Sequence, residues 1–215
     1  MLKPYSALHA LIVATLIILP FYKAVAQSPT PVLVELFTSE GCSSCPPADE
    51  FLRTLDATQP VAGAQLIVLG EHVDYWDDQG WRDIYSDHDY TVRQQNYADR
   101  MQLKGPYTPE MVVDGTIEFV GNDPKRAQQA FEKARSNPKV SMQISSLTLE
   151  NGGHHLEHVA VVRNLTNAGK VAKGATFAKD VHIKAKPSDA GYRLIAFVQE
   201  SHQGPILGAV VQKVP

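Results

Sequence analysis

Apolar positions along this chain change period several times, and each change marks an element. Pro31-Val32-Leu33-Val34-Glu35-Leu36-Phe37 is a nearly continuous apolar run of strand length, rich in β-branched and aromatic residues. After it, Ala48, Phe51, Leu52 and Leu55 recur at i, i+3, i+4 and i+7, and Asp49 and Glu50 occupy the first turn, where acids suit the helix dipole. Ala64 to Val73 reads as a second apolar strand, and a helix is predicted from Asp87 to Leu103 with Tyr90, Tyr97 and Met101 on one face. Gly105-Pro106-Tyr107-Thr108-Pro109 cannot be helix interior. Beyond it, Met111–Val113 and Thr116–Val120 flank Asp114-Gly115, a short-range hairpin signal. The last helix of this half has Asp123 as N-cap, Pro124 at its first position, and Ala127, Ala130, Phe131 and Ala134 on its inner face. The predicted order is β, α, β, α, β, β, α.

From Lys139 the period becomes two. Val140, Met142 and Ile144, then Leu147 and Leu149, an Asn151-Gly152 turn and Leu156–Arg163 predict antiparallel strands. Further strands are predicted at Asp180–Lys186, Tyr192–Gln199 and Ile206–Lys213, with Ser201–Pro205 turning between the last two. Residues 139–215 therefore read as an antiparallel β module following a first domain at 27–138.

The first 26 residues have the layout of a secretory signal: Lys3, an apolar stretch from Ala10 to Phe21, and Ala24-Val25-Ala26 as a small-x-small cleavage site. An uncleaved anchor is the alternative, opposed by Pro20 inside the run, by Lys23 just after it and by the shortness of the stretch. The expected location is secreted or periplasmic, with no stable membrane span after cleavage. Loss of Lys3 and Lys23 takes the formal net charge from −3 to −5. A mildly acidic domain without a basic patch is not a nucleic-acid binder. The remaining 189 residues can form a core without disulfide staples.

That makes the cysteines informative. Cys42 and Cys45 are the only two, spaced CxxC between the first strand and the first helix. A thiol at a helix N-terminus is stabilised as thiolate, the form that attacks disulfides. Cys42 is expected to be the more exposed nucleophile and Cys45 the resolving thiol. A structural disulfide of this spacing closes too small a loop to constrain the unfolded chain much. Zinc would need two more ligands, and no second Cys or His pair at ligand spacing is present. Copper(I) needs fewer ligands and favours thiolates, so it remains an alternative, with His72 as the candidate third ligand at the end of the second strand. His154, His155 and His158 flank a turn and read as ordinary surface histidines.

The element order, with CxxC after the first strand and Thr108-Pro109 before the third, resembles the thioredoxin fold, an α/β fold. That resemblance implies a cis peptide bond at Pro109 facing the cysteines, with Thr108 on the substrate surface. More closely, Val34-Glu35-Leu36-Phe37-Thr38-Ser39-Glu40-Gly41-Cys42-Ser43-Ser44-Cys45-Pro46-Pro47-Ala48-Asp49, together with His72-Val73-Asp74-Tyr75-Trp76 and Tyr107–Gly115, is similar to a family of secreted bacterial proteins known only as a domain of unknown function.

Three departures from thioredoxins, and one charged residue in the first strand, bear on the site. Gly41 stands where those proteins usually carry a tryptophan, which makes Trp76 and Trp81, the only tryptophans here, candidates to roof the site. Pro46 and Pro47 bias Cys45 away from helical geometry and would start the helix after it. The Ser-Ser pair between the thiols carries no readable redox potential. Glu35, the one charge in its strand, could take the proton of the resolving thiol, or else turn to a salt bridge elsewhere. The sequence thus points to a thiol-disulfide oxidoreductase acting on protein thiols or disulfides in the exported compartment. No cofactor is required. The alternatives are a copper(I)-binding or delivery protein and a binding module with a vestigial redox site.

Overall fold

Strand β1, Thr30–Thr38, is buried from Val32 onward on both of its faces, as its unbroken apolar run requires. The computed structural model describes residues 28–145, 160–182 and 192–214. Within these, β1 is followed by helix α1 (Pro46–Thr58), β2 (Ala64–His72), α2 (His88–Met101), β3 (Glu110–Val113), β4 (Ile117–Val120), α3 (Pro124–Arg135), β5 (Arg193–Gln199) and β6 (Ile206–Lys213). The fold is mixed α/β. One four-stranded sheet has the order β2-β1-β3-β4, with β1 parallel to β2 and antiparallel to β3, and β5-β6 is a separate antiparallel pair. The predicted signal segment lies outside the described residues, and among those described no helix is long and apolar enough to cross a membrane.

Alternation along β1 assigns each face its cover. Val32, Val34 and Leu36 point with Leu66, Val68, Met111 and Val113 toward Leu52 and Leu55 of α1 and Ala127, Ala130 and Phe131 of α3. On the other face, Leu33, Ile67 and Leu69 meet Ile206 and Ala209 of β6, while Phe37 and Val112 meet Tyr97 of α2. Helices α2 and α3 start where their aspartate caps sit: Asp87 accepts from the Asp89 amide and Asp123 from the Arg126 amide.

The C-terminal region differs from the sequence expectation. Strands β5 and β6 form as anticipated, but residues 139–145 form no strand. Lys139 is drawn to Asp114 and to the Ile206 carbonyl, and Val140 donates one backbone bond to Leu207. Isolated bonds replace a ladder there. Residues 180–182 are likewise not strand. Of the expected Leu156–Arg163 strand, only 160–163 are described, and Val161 makes a single parallel bridge to Gly70 of β2. A side chain at Gly70 would lie 3.3 Å from the Ala160 carbonyl oxygen, so glycine permits this approach. The strand at Leu147–Leu149, the Asn151-Gly152 turn and His154, His155 and His158 fall outside the described residues.

Beneath α2 the sheet carries three buried carboxylates, Glu35, Glu71 and Glu110. Strand register explains their meeting, because Phe37 pairs with Glu71 on one side and Glu110 on the other, two residues beyond Glu35. Arg93 of α2 grips Glu35 at 2.6 Å and stands 3.6 Å from Glu71, while Tyr97 donates to Glu35 at 2.8 Å. Gln199 of β5 joins by accepting from Arg93 and donating to Tyr97. The two oxygens of Glu71 accept no hydrogen bond. Burial, reinforced by the neighbouring Glu35 charge, pushes Glu71 up to about 8, and burial pushes Glu110 up to about 7. The folded state thus keeps protons that the unfolded chain has already released, and stability falls as pH rises from the ordinary value of 4.5 through these raised values. Glu71→Gln is expected to stabilise the protein by about 1–3 kcal/mol near pH 8, the gain vanishing toward about pH 4. Chemical denaturation of both proteins across that range checks it, and a gain independent of pH would contradict it.

Candidate functional site

The turn that carries the cysteines leaves the C-terminal end of β1 and enters α1. Backbone bonds from Cys42 to the Ser39 carbonyl and from Cys45 to the Cys42 carbonyl tighten it, and the two cysteines are joined in a disulfide. Cys45 is the N-cap of α1 and, contrary to the bias of a residue before proline, has helical dihedrals of −78° and −35°. Its carbonyl accepts from the Ala48 and Asp49 amides at 2.8 and 3.1 Å, the first bonds of the helix. Pro46 and Pro47 fall in the first turn, where their missing N–H groups cost nothing.

Cys42 is the more exposed of the pair, as expected, although both are buried. It is 2% exposed and Cys45 0%. Trp76 packs over the neighbouring Gly41, where a side chain would lie 3.1 Å from the Trp76 Cβ. The Trp76 indole N–H donates to Thr108 Oγ1 at 2.8 Å, and Thr108 Oγ1 lies 3.3 Å from Cys42 Sγ. A threonine hydroxyl has one proton. With Trp76 filling an acceptor position, that proton is directed at sulfur. The same bond becomes charge-assisted when Cys42 is a thiolate, which favours the reactive form. The Thr108-Pro109 bond is cis, as the resemblance implied.

The other candidates lie around this centre or away from it. Trp81 is at its rim, donating to Glu40 Oε2 at 3.0 Å. His72 is held through Nδ1 by Asp83 at 2.7 Å, and Asp83 also accepts from the Glu40 and Tyr85 amides at 2.8 Å each. Burial pushes Asp83 up, but the Glu40 amide, His72 and the Tyr85 amide outweigh it and hold the carboxyl below its ordinary value. One His72 nitrogen is therefore committed to Asp83, and among the described residues no three of His, Cys, Asp and Glu are grouped to hold a metal ion. Glu35 points to the sheet face opposite α1, bound by Arg93 and Tyr97 rather than turned to the dithiol. The strand's alternation decides this, since Val34 and Leu36 take the α1 side.

Three groups were not read as site residues from the sequence. Asp83 ties His72 to the loop two residues before Cys42. Asp49, one turn beyond Cys45, accepts from Thr38 at 2.8 Å, and burial raises its carboxyl despite that bond. Gln94 donates to the Tyr107 carbonyl at 2.7 Å and to Glu110 at 2.6 Å, bracing the segment that contains the cis bond. Only the i+4 spacing of Asp49 from Cys45 offered a sequence signal. The others depend on contacts across the fold.

The family model for a protein of unknown function, DUF1223, matches residues 33–149, just over half of the chain. This chain belongs to that family. The matched segment contains both cysteines, the Asp74–Trp81 loop and Thr108-Pro109, and ends before β5. Among solved structures, an X-ray structure of an Agrobacterium tumefaciens protein is 37% identical over 50% of this chain, with a TM-score of 0.44. The alignment spans 48% of that protein, about half its length. No curated protein matches this member of the family.

If Trp76 shields the disulfide, Trp76→Ala should be reduced by a small thiol several-fold faster than the parent. Alkylation of freed thiols over time measures this, and an unchanged rate would rule out the shielding role.

Proposed function

We propose that this member of DUF1223 is a thioredoxin-like thiol-disulfide oxidoreductase, exported to an oxidising compartment and acting on protein thiols or disulfides through Cys42 and Cys45. The observation that carries the reading is the disulfide-bonded CxxC at the start of α1 with Thr108 of a cis Thr-Pro bond against Cys42 Sγ. The β1-α1-β2-α2-β3-β4-α3 order supports the thioredoxin-like assignment. An oxidising compartment suits a protein holding a disulfide.

In the oxidising direction a substrate thiolate attacks Cys42 Sγ, the Cys42–Cys45 bond breaks, and Cys45 leaves with the electron pair and takes up a proton. A second substrate thiolate then attacks the substrate sulfur of the mixed disulfide. A substrate disulfide forms, Cys42 departs as thiolate, and two electrons have passed to the dithiol. The reverse sequence reduces a substrate disulfide: Cys42 attacks and Cys45, once deprotonated, resolves. The α1 N-terminus and Thr108 stabilise thiolate at Cys42 in both directions. Trp76 and Thr108 border the sulfur and shape the approach of the substrate.

A redox titration of the metal-free mature protein in glutathione buffers tests this, with free thiols trapped and counted by mass. The expected result is a reversible two-electron midpoint between about −120 and −270 mV, absent in Cys42→Ser. Failure to cycle would overturn the reading.

A further inference from the structure

The loop beside the disulfide exposes apolar side chains that the fold does not require. Trp81 is 61% and Ile84 76% exposed, and Tyr75 is exposed on the same loop. The loop is nevertheless built to hold its shape. Asp77 accepts from the Asp83 amide at 3.2 Å and the Ser86 hydroxyl at 2.7 Å. Asp83 fastens His72, Tyr85 and the Glu40 amide. An ordered scaffold that holds large apolar side chains in water has the character of a recognition surface rather than of a slack loop.

Its position relates it to the dithiol. Trp81 donates to Glu40, two residues before Cys42, and Trp76 from the same loop covers Gly41 and bonds Thr108. Its charge indicates the partner. Residues 74–89 contain six aspartates, Asp74, Asp77, Asp78, Asp83, Asp87 and Asp89, against Arg82 alone. Of these Asp78, Asp87 and Asp89 are exposed, as is Glu40. Arg163 lies over the Tyr85 ring at 5.1 Å, and His88 pairs with Asp74. Exposed acids around aromatic faces attract lysine and arginine by charge and by cation–π contact, and Ile84 and Trp81 offer burial to an apolar neighbour.

We infer that the Asp74–Asp89 loop docks a cationic, apolar polypeptide segment and presents a cysteine in that segment to Cys42. This rests on the exchange reading and gives it a substrate class. The docked segment places its cysteine near Trp76 while its basic residues face Glu40 and Asp78.

The test uses the full mature chain and two peptides, each with one cysteine flanked by leucine. One carries lysine and arginine, and the other glutamate at the same positions. Exchange rates are expressed relative to glutathione, which reports the dithiol alone. The cationic peptide is expected to exchange about tenfold faster than the anionic one at low salt, with the ratio collapsing at high salt. The ratio should also shrink in Ile84→Ser and in Asp78→Asn. Separately, binding of cysteine-to-serine versions of both peptides is followed by tryptophan fluorescence. If glutathione and peptides all fail to exchange but the cationic serine peptide binds more tightly than the anionic one, the exchange reading falls and the docking surface stands. Equal rates and equal binding for the two peptides would overturn the surface. So would a parent chain that sediments as a dimer and an Ile84→Ser variant that sediments as a monomer, since the patch would then seat a second copy.

Discussion

Burial of β1 on both faces is the constraint from which the rest of this structure follows. A strand with β2 on one side, β3 on the other and side-chain layers above and below is shut off from solvent along most of its length. Its apolar residues therefore dictate α1 and α3 on one face and α2 with the β5-β6 pair on the other. Its end then delivers the CxxC turn to a fixed place, between the start of α1 and the turn that precedes β3. The chemistry of the cysteines is local, but their setting is inherited from strand packing.

Glu35 shows the cost of that arrangement. A charge in a doubly covered strand needs partners, and Arg93 and Tyr97 supply them from α2, themselves held by Gln199 of β5. Glu71 and Glu110 enter the same layer with less provision, and their raised titration follows from it. The polar layer joins α2 and β5 to the sheet by directional bonds, where an apolar layer would give adhesion without orientation.

What could be read from the sequence was what short-range rules control. The β1 run, the α1 stripe, the Asp123-Pro124 helix start and the Asp114-Gly115 turn each depend on a few neighbouring residues, and each formed where expected. The cis bond at Pro109 was legible through a resemblance that covers two separated motifs. The rest depends on distant contacts. Trp76, 34 positions from Cys42, packs over Gly41, and of the two readings open for Glu35 the salt bridge forms, with a partner 58 positions away. Cys45 is helical despite its local proline bias, within a turn that its amide bond to the Cys42 carbonyl and the disulfide close. Residues 139–145 alternate as a strand should, yet no neighbouring ladder accepts them.

The cover over β2 near Gly70 has an implication for how this fold meets other chains. Gly70 exchanges backbone bonds with Ala160 and Val162, which closes part of the outer edge of β2, while β4, at the opposite border, is only four residues long. Among the described residues, these contacts and the shortness of β4 reduce the strand edge open to an incoming chain. Under the proposed exchange reading, selectivity would then be carried by loop side chains rather than by strand pairing, and loops can change sequence while the sheet beneath them stays the same.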